Sequence, residues 1–571
     1  MDVMWCHIVS LLVIGILAVD SNNVQKSTTV SLKSSDDSLD WWQTAVFYQI
    51  YPRSFMDSDN DGVGDLKGIE SKLDHLKDAG VTATWLSPIF KSPQVDQGYD
   101  ISDYRMVDPI FGSNDDLTSL IKKAHDLGIK VILDFVPNHT SDKHEWFVKS
   151  NNMTPGYEDY YIWHPKSNNT SSNPPPVPNN WISNFKGSAW EWSEKRQQYY
   201  YHNFAIQQPD LNYSNPKVVK EMKDTLTYWL DQGVDGFRID AVPYLFEDPQ
   251  FRDQPLADGY TEYDINNADS LNQMYIKDLP KTFDMIYQFR EHVDEYVKKN
   301  NKNETKVLMT EAYSPIEKQM LYYGSKDGSR KGAHFTFNFN LISDITNPNF
   351  TIDELYDAIN KWLVYIPSGY TSNWVIGNHD NHRAATRYGK DNVDGFNMLI
   401  AILPGVMVTY NGEEIGMEDG EVTCEEGFDP QATKNCSSFN QTSRDFERTP
   451  YHWDDSVNAG FNTGHKTWLP VSEKSKEVNL KAQNIEGIYS HYNIYKELMN
   501  LRNNFKNSST IDSLAVIKVN ENVLQIVRSR DDAEYILLFN IGDKDETIDF
   551  LQAKMYHKVV VSSLKSSYEI G

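Results

Sequence analysis

The chain has 571 residues, more than one ordinary domain, so two or three domains are expected. Its formal charge of −27 argues against nucleic acid or an anionic membrane surface as a partner. Hydrophobic residues make up 39%, yet aromatics reach 13%, which excludes a disordered chain and suits large apolar contacts or stacking on sugar faces.

In chain order, the first feature is an apolar run, Ile8 to Val19, followed by DSNN. Twelve residues match a signal-peptide core better than a membrane span, so residues 1–20 are expected to be a signal peptide. No Lys or Arg precedes the run, which leaves a signal anchor open. Residues 21–40 are polar and low in complexity, and read as a flexible lead-in. Secretion is the expected localisation, with no membrane span once the signal is removed. Cys6 leaves with the signal, and the remaining pair, Cys424 and Cys436, is expected to form a disulfide. Sequons at Asn152, Asn168, Asn169, Asn212, Asn303, Asn349, Asn435, Asn440 and Asn507 fit a secreted glycoprotein. The sequon at Asn138 ends a strand-like run and is expected to be buried and unmodified.

From residue 41 the pattern alternates. AVFYQIYP (45–52), VTATWLSPI (81–89) and IKVILDFVPN (129–138) read as strands, separated by helix-like runs that end at Gly80 and Gly128. Residues 139–212 break the rhythm with Trp, Tyr, Asn and Pro, and read as a small inserted domain. The rhythm resumes over 213–509, with strand candidates at GVDGFRIDAV (233–242), KVLMTEA (306–312), AHFTFNF (333–339), SNWVIGNHD (372–380) and GVMVTYNG (405–412). About eight strand–helix units imply an α/β fold, a (β/α)8 barrel whose reactive groups sit at the C-terminal strand ends. Residues 510–571 turn β-branched and hairpin-like, and are expected to form a C-terminal all-β domain.

Polar residues collect at those strand ends: Asn138 and His139, Arg238 and Asp240, Glu311, and His379 and Asp380. In a strand, alternate side chains share a face, so Arg238 and Asp240 point together where burying charge is costly unless it is paired or used. Three carboxylates on one barrel mouth suit glycosidic cleavage. One stays ionised to attack the anomeric carbon, a second carries a proton for the leaving oxygen, and a third follows the developing positive charge. Arg238 would hold Asp240 ionised.

DFVPNHT, GFRIDAV, TEAY and GNHDNH, in this order, resemble the conserved regions of the α-amylase family of retaining glycoside hydrolases. QPDLN and DQGYDISDY resemble its α-glucosidase branch, and residues 41–570 are similar to insect maltases throughout. The resemblance implies Asp240 as nucleophile, Glu311 as acid/base and Asp380 as transition-state stabiliser. It implies that Asp96, Tyr99, His139, Phe204, Gln208, Arg238, His379 and Arg448 line the glucose site, with Asp96 and Arg448 gripping the far hydroxyls and making the enzyme exo-acting. Ala241, after the nucleophile, goes with α-1,4 preference, so maltose, sucrose and short maltooligosaccharides are the expected substrates. Relatives usually continue through a final β strand, so the resemblance leaves the last strand pairing open.

DSDNDGVGD (57–65) has acidic oxygens at positions 1, 3, 5 and 9, a hard-cation pattern, but Gly68 stands where an EF-hand has Glu. It resembles the calcium loop of the α-glucosidase branch, which implies a structural Ca2+ held by Asp57, Asp59, Asp61, Asp65 and the Val63 carbonyl. The chemistry needs no metal. Three rival readings stay open at this point: a transporter-associated heavy chain on the same barrel, a surface receptor, and a relative that mainly transfers glucose or isomerises sucrose.

Overall fold

The computed structural model describes residues 27–32, 39–165, 172, 174–300, 304–432, 436–505, 512–530, 533–548 and 558–566. The expected signal peptide and the sequons at Asn168, Asn169, Asn303, Asn435 and Asn507 lie outside the described residues.

Eight parallel strands follow one another round a single sheet. They are β1 (Val46–Ile50), β2 (Ala83–Leu86), β3 (Lys130–Phe135), β4 (Gly236–Ile239), β5 (Val307–Thr310), β6 (Phe335–Thr336), β7 (Asn373–Val375) and β8 (Val406–Tyr410). β1 pairs with both β2 and β8, so the sheet curls on itself. Backbone pairing is interrupted only between β6 and β7. There the Asn373 side chain bridges the seam, accepting from Asn338 N at 2.8 Å and donating to Thr336 O at 2.6 Å. The result is a nearly closed barrel, as the strand–helix rhythm implies.

Burial on both faces explains the apolar strands. Phe237 of β4 faces outward and packs on Phe135, which meets Phe289 of the helix Pro280–Lys299. Helix Leu66–Asp78 buries Ile69, Leu73 and Leu76, which share one face at helical spacing. Helices Asn114–Asp126 and Ile352–Tyr365 start in capping boxes, Ser113 with Asp116 and Thr351 with Glu354.

The inserted region contains a three-stranded antiparallel sheet, with Gln198–Tyr201 between Trp163–Pro165 and Trp190–Ser193. Its aromatic core is not self-contained. Trp181, Trp190 and Tyr201 pack with Phe251 and Ile276, which belong to the segment after β4. Trp181 Nε1 also donates to Arg252 O at 2.8 Å. The reading of 139–212 as one inserted unit therefore omits the segment that completes its core.

The lead-in reading needs correction too. Ser27–Leu32, expected to be flexible, is the edge strand of a four-stranded antiparallel sheet with Asp512–Lys518, Val523–Arg530 and Ala533–Asn540. Pairing from a strand some 480 residues away in sequence satisfies a ladder that local composition does not reveal.

Candidate active site

Parallel strands aim their C-terminal ends at one mouth, and the charged residues of the sequence meet there. Arg238 lies at its centre, 2% exposed. Its Nη1 donates to Asp134 at 3.1 and 3.2 Å and to Asp240, and its Nη2 lies 3.1 Å from Glu311 Oε2. Three strands thus deliver three carboxylates to one guanidinium. The sequence reading quoted Asp134 without a role. A signal for it exists, because Asp134 interrupts an apolar strand and stands in register with Arg238 across the β3–β4 pair.

Ala241 follows Asp240 in the left-handed region, φ 47°, and its N–H donates to Glu311 Oε2 at 2.9 Å. A non-glycine residue rarely takes this conformation, and strain of this kind collects at functional turns. It turns the chain sharply after β4 and ties the Asp240 segment to Glu311.

Asp380 follows β7 and has cations on one side. Arg448 Nη2 donates to its Oδ1 at 2.9 Å and Arg444 Nη1 at 3.1 Å. His379 stacks on Tyr99 with rings 2° from parallel, and its Nε2 is 2.5 Å from the Tyr99 hydroxyl. Gln49, at the end of β1, contacts the other ring nitrogen at 2.8 Å. Burial, helped by Arg448, Arg238 and Arg444 and opposed by Asp380, pushes His379 well below its usual pKa, so the ring is neutral.

The expected pocket residues come together. Gln208 Nε2 donates to Asp96 Oδ2 at 3.0 Å and lies 3.1 Å from His139 Nε2, while Phe204 packs 5.3 Å from the His139 ring. Asn138 is buried, and its amide donates to Asp210 and to Tyr244 O, as its sequon reading anticipates. Arg448, expected beside Asp96 at the glucose hydroxyls, sits behind Asp380. It is fully buried and donates to Gln97, His379 O and Asp380, not to Asp96. The cation on Asp96 is Arg444, at 3.0 Å, which also binds Asp429 at 2.7 and 3.0 Å. The sequence reading missed Arg444, Asp429 and Gln49. Arg444 lies only four residues before Arg448, and no local pattern says which of the two reaches the pocket.

Electrostatics separate the carboxylates. Burial pushes the Asp240 carboxyl up, while Arg238 pulls it back towards the ionised form. Burial likewise raises Asp134 to about 6 against Arg238, and raises Asp96 to about 6 against Arg444 and Arg448. Asp380 is opposite: burial opposes its ionisation, but Arg444 and Arg448, with Arg238 behind them, outweigh it and hold the carboxyl well below the usual range. Asp134 and Asp240 are buried on one guanidinium and repel each other's charge, so neither ionises as cheaply as a free carboxylate. Carboxylates pushed up beside one held down can supply both a proton and a fixed negative charge.

Cys424 and Cys436 are disulfide-bonded, with Cα atoms 5.6 Å apart. The loop between them carries Asp429, and its Phe428 carbonyl accepts from Gln97 at 2.8 Å. In the acidic loop, ligand oxygens of Asp57, Asp59 and Asp61 lie within 4.8 Å of one another. Asp57 is buried and accepts from the Asp59, Asn60 and Gly62 N–H groups. Asp65 stands outside this group of three and caps helix Leu66–Asp78 through Gly68 N, besides accepting from Ser58. Val63 donates its N–H to Asp61 at 2.8 Å. A Cβ on Gly68 would lie 2.0 Å from Met56 O, which explains why an EF-hand Glu cannot stand there. Hard oxygen donors gathered by backbone N–H groups fit a hard cation.

Residues 49–510 match the alpha amylase catalytic domain. Maltase 1 of Drosophila virilis is 48% identical over 90% of this chain and 80% of its own. The salivary alpha-glucosidase of Aedes aegypti is 44% identical over 93% of this chain and 91% of its own. The crystal structure of the alpha-glucosyl transfer enzyme XgtA superposes with a TM-score of 0.79 at 35% identity, covering 88% of this chain and 92% of that one. The barrel, the carboxylates on Arg238 and these matches together make the chain a member of the alpha-amylase family of glycoside hydrolases, similar to its insect maltases and α-glucosidases.

Proposed function

We propose that the protein is a secreted, exo-acting, retaining α-glucosidase of maltase and sucrase type, releasing α-glucose from maltose, sucrose and short α-1,4-glucosides. The observation that carries this reading is an ion-paired wall at the site: Arg444 bridges the buried carboxylates of Asp96 and Asp429 and also reaches Asp380. Such a wall suits the terminal glucose of a short substrate. Asp240 attacks the anomeric carbon as the glycosidic bond breaks, and Glu311 gives its proton to the leaving oxygen. Water, deprotonated by Glu311, then displaces Asp240 with the second inversion. Asp380, kept charged by Arg444 and Arg448, stabilises the oxocarbenium-like state. Neutral His379 and His139 serve the ring hydroxyls.

In this reading Ca2+ is a structural ion of the Asp57–Asp65 loop and takes no part in the chemistry. Secretion is supported by the apolar N-terminal run, the disulfide and the exposed sequon residues Asn152, Asn349 and Asn440. Among the described residues no helix is long and apolar enough to cross a membrane. A second reading, net glucosyl transfer, is favoured by the likeness to XgtA, since the same carboxylates serve water or a sugar acceptor.

The test is a time course on maltose, sucrose, isomaltose and trehalose, following glucose and its anomer by NMR. Initial release of α-glucose from maltose and sucrose is expected. Initial β-glucose refutes retention, disaccharide exchange without glucose favours transfer, and no turnover by folded protein refutes the assignment.

A further inference from the structure

One cluster of metal-binding groups lies outside the mechanism. His382 stands two residues after Asp380, Asp419 follows the turn beyond β8, and Glu447 immediately precedes Arg448. Their ligand atoms lie within 4.8 Å of one another. His382 Nδ1 is 2.7 Å from Asp419 Oδ2 and 3.9 Å from Glu447 Oε2. Glu447 is 1% exposed, and its Oε2 is buried with no hydrogen-bond partner. An unpaired buried carboxylate oxygen is costly and calls for a cation or a proton. Neighbouring guanidiniums do not supply it. Arg448 is committed to Asp380, Gln97 and His379 O, and Arg387 donates to the carbonyls of His382, Ile345 and Ile376.

We propose that His382 Nδ1, Asp419 Oδ2 and Glu447 Oε2 bind one divalent transition-metal ion of the Zn2+ class. One imidazole and two carboxylates suit such an ion, whereas Ca2+ demands six to eight oxygens. Ligands about 2.0–2.2 Å from a tetrahedral centre stand ~3.3–3.6 Å apart, between the two separations seen here, so small side-chain shifts complete the site. Asp419 is oriented from behind, its Oδ1 accepting from Arg383 N at 2.7 Å, the outer support that metal-binding carboxylates use. The His382 side chain is 44% exposed, which gives the ion a way in and leaves room for a water as fourth ligand. A bound ion ties the loop that carries Asp380 to the turn that carries Arg448.

The experiment is titration calorimetry of the intact protein with zinc chloride, in buffer holding millimolar Ca2+ to occupy the Asp57 loop. One zinc per chain is expected. His382→Ala, a change on a half-exposed side chain, weakens uptake at least tenfold, since even outer-shell changes cost about 10–100-fold. Glu447→Gln does the same, with its fold verified by circular dichroism. No zinc uptake, or uptake that His382→Ala leaves unchanged, overturns the proposal.

Discussion

Replacing Arg444 by Ala tests the pocket wall. The side chain makes hydrogen bonds to Asp96, Asp380 and Asp429, all buried or nearly so. Asp96 already ionises only at about 6, against an ordinary value of 3.8, because burial outweighs the nearby arginines. Keeping it charged in the folded protein therefore costs roughly 3 kcal/mol at neutral pH. The sign follows from the raised pKa: this cost is absent below pH 3.8, grows between 3.8 and about 6, and is constant above that. Removing the nearest cation moves the Asp96 pKa further up. At pH 6–7 the wall becomes neutral and loses its charged grip on a glucose hydroxyl. Charge-assisted hydrogen bonds are worth about 1.5–3 kcal/mol each, so losing two, one from Asp96 and one from Arg444 itself, should lower kcat/KM on maltose about 10²- to 10⁴-fold. The acid limb of the kcat/KM profile should move up by at least one pH unit, while Arg444→Lys moves it less. The assay is glucose release from maltose between pH 4 and 8. An Arg444→Ala enzyme with an unshifted acid limb and kcat/KM within threefold of the parent refutes this account of the wall.

Other changes probe the remaining groups. Asp240→Asn keeps the shape beside Arg238 and should cut turnover by about 10⁴ or more with little change in melting; near-normal turnover removes Asp240 as nucleophile. Glu311→Gln should lose maltose hydrolysis far more than cleavage of α-glucosyl fluoride, whose leaving group needs no proton, and equal losses count against the acid role. Ala241→Val places a β-branched residue at φ 47°, costing ~1–3 kcal/mol of stability, and should raise the isomaltose-to-maltose ratio. A constant ratio dissociates this position from linkage choice. Stripping Ca2+ with a chelator should lower the melting temperature by a few degrees, since occupancy at 100 times Kd contributes about 2.7 kcal/mol, while initial rates at low temperature hold. Unchanged melting means that the Asp57 loop carries no ion.

Much of the molecule is legible in the sequence. Strand and helix periods are local, so the eight barrel units could be read in order. A charged residue inside an apolar run is costly without a partner, so Arg238, Asp240, Glu311 and Asp380 stood out where the barrel mouth had to be. The cysteine pair followed from number and context, and the acidic loop from its spacing.

Partner choice was not legible, because it depends on contacts that chain closure creates. Arg444 and Arg448 share one short motif, and only the folded loop sends the first to Asp96, 348 residues away in sequence, and buries the second behind Asp380. Ser27–Leu32 looks like a polar lead-in until Asp512–Lys518 offers it a ladder. Phe251 and Ile276 join the inserted core only because β4 ends beside it. Sequence by itself determined which groups the barrel presents, because period and burial cost are properties of neighbouring residues. Tertiary structure alone decided which charge pairs with which, because a buried ion pair is selected by distance and geometry across the closed barrel.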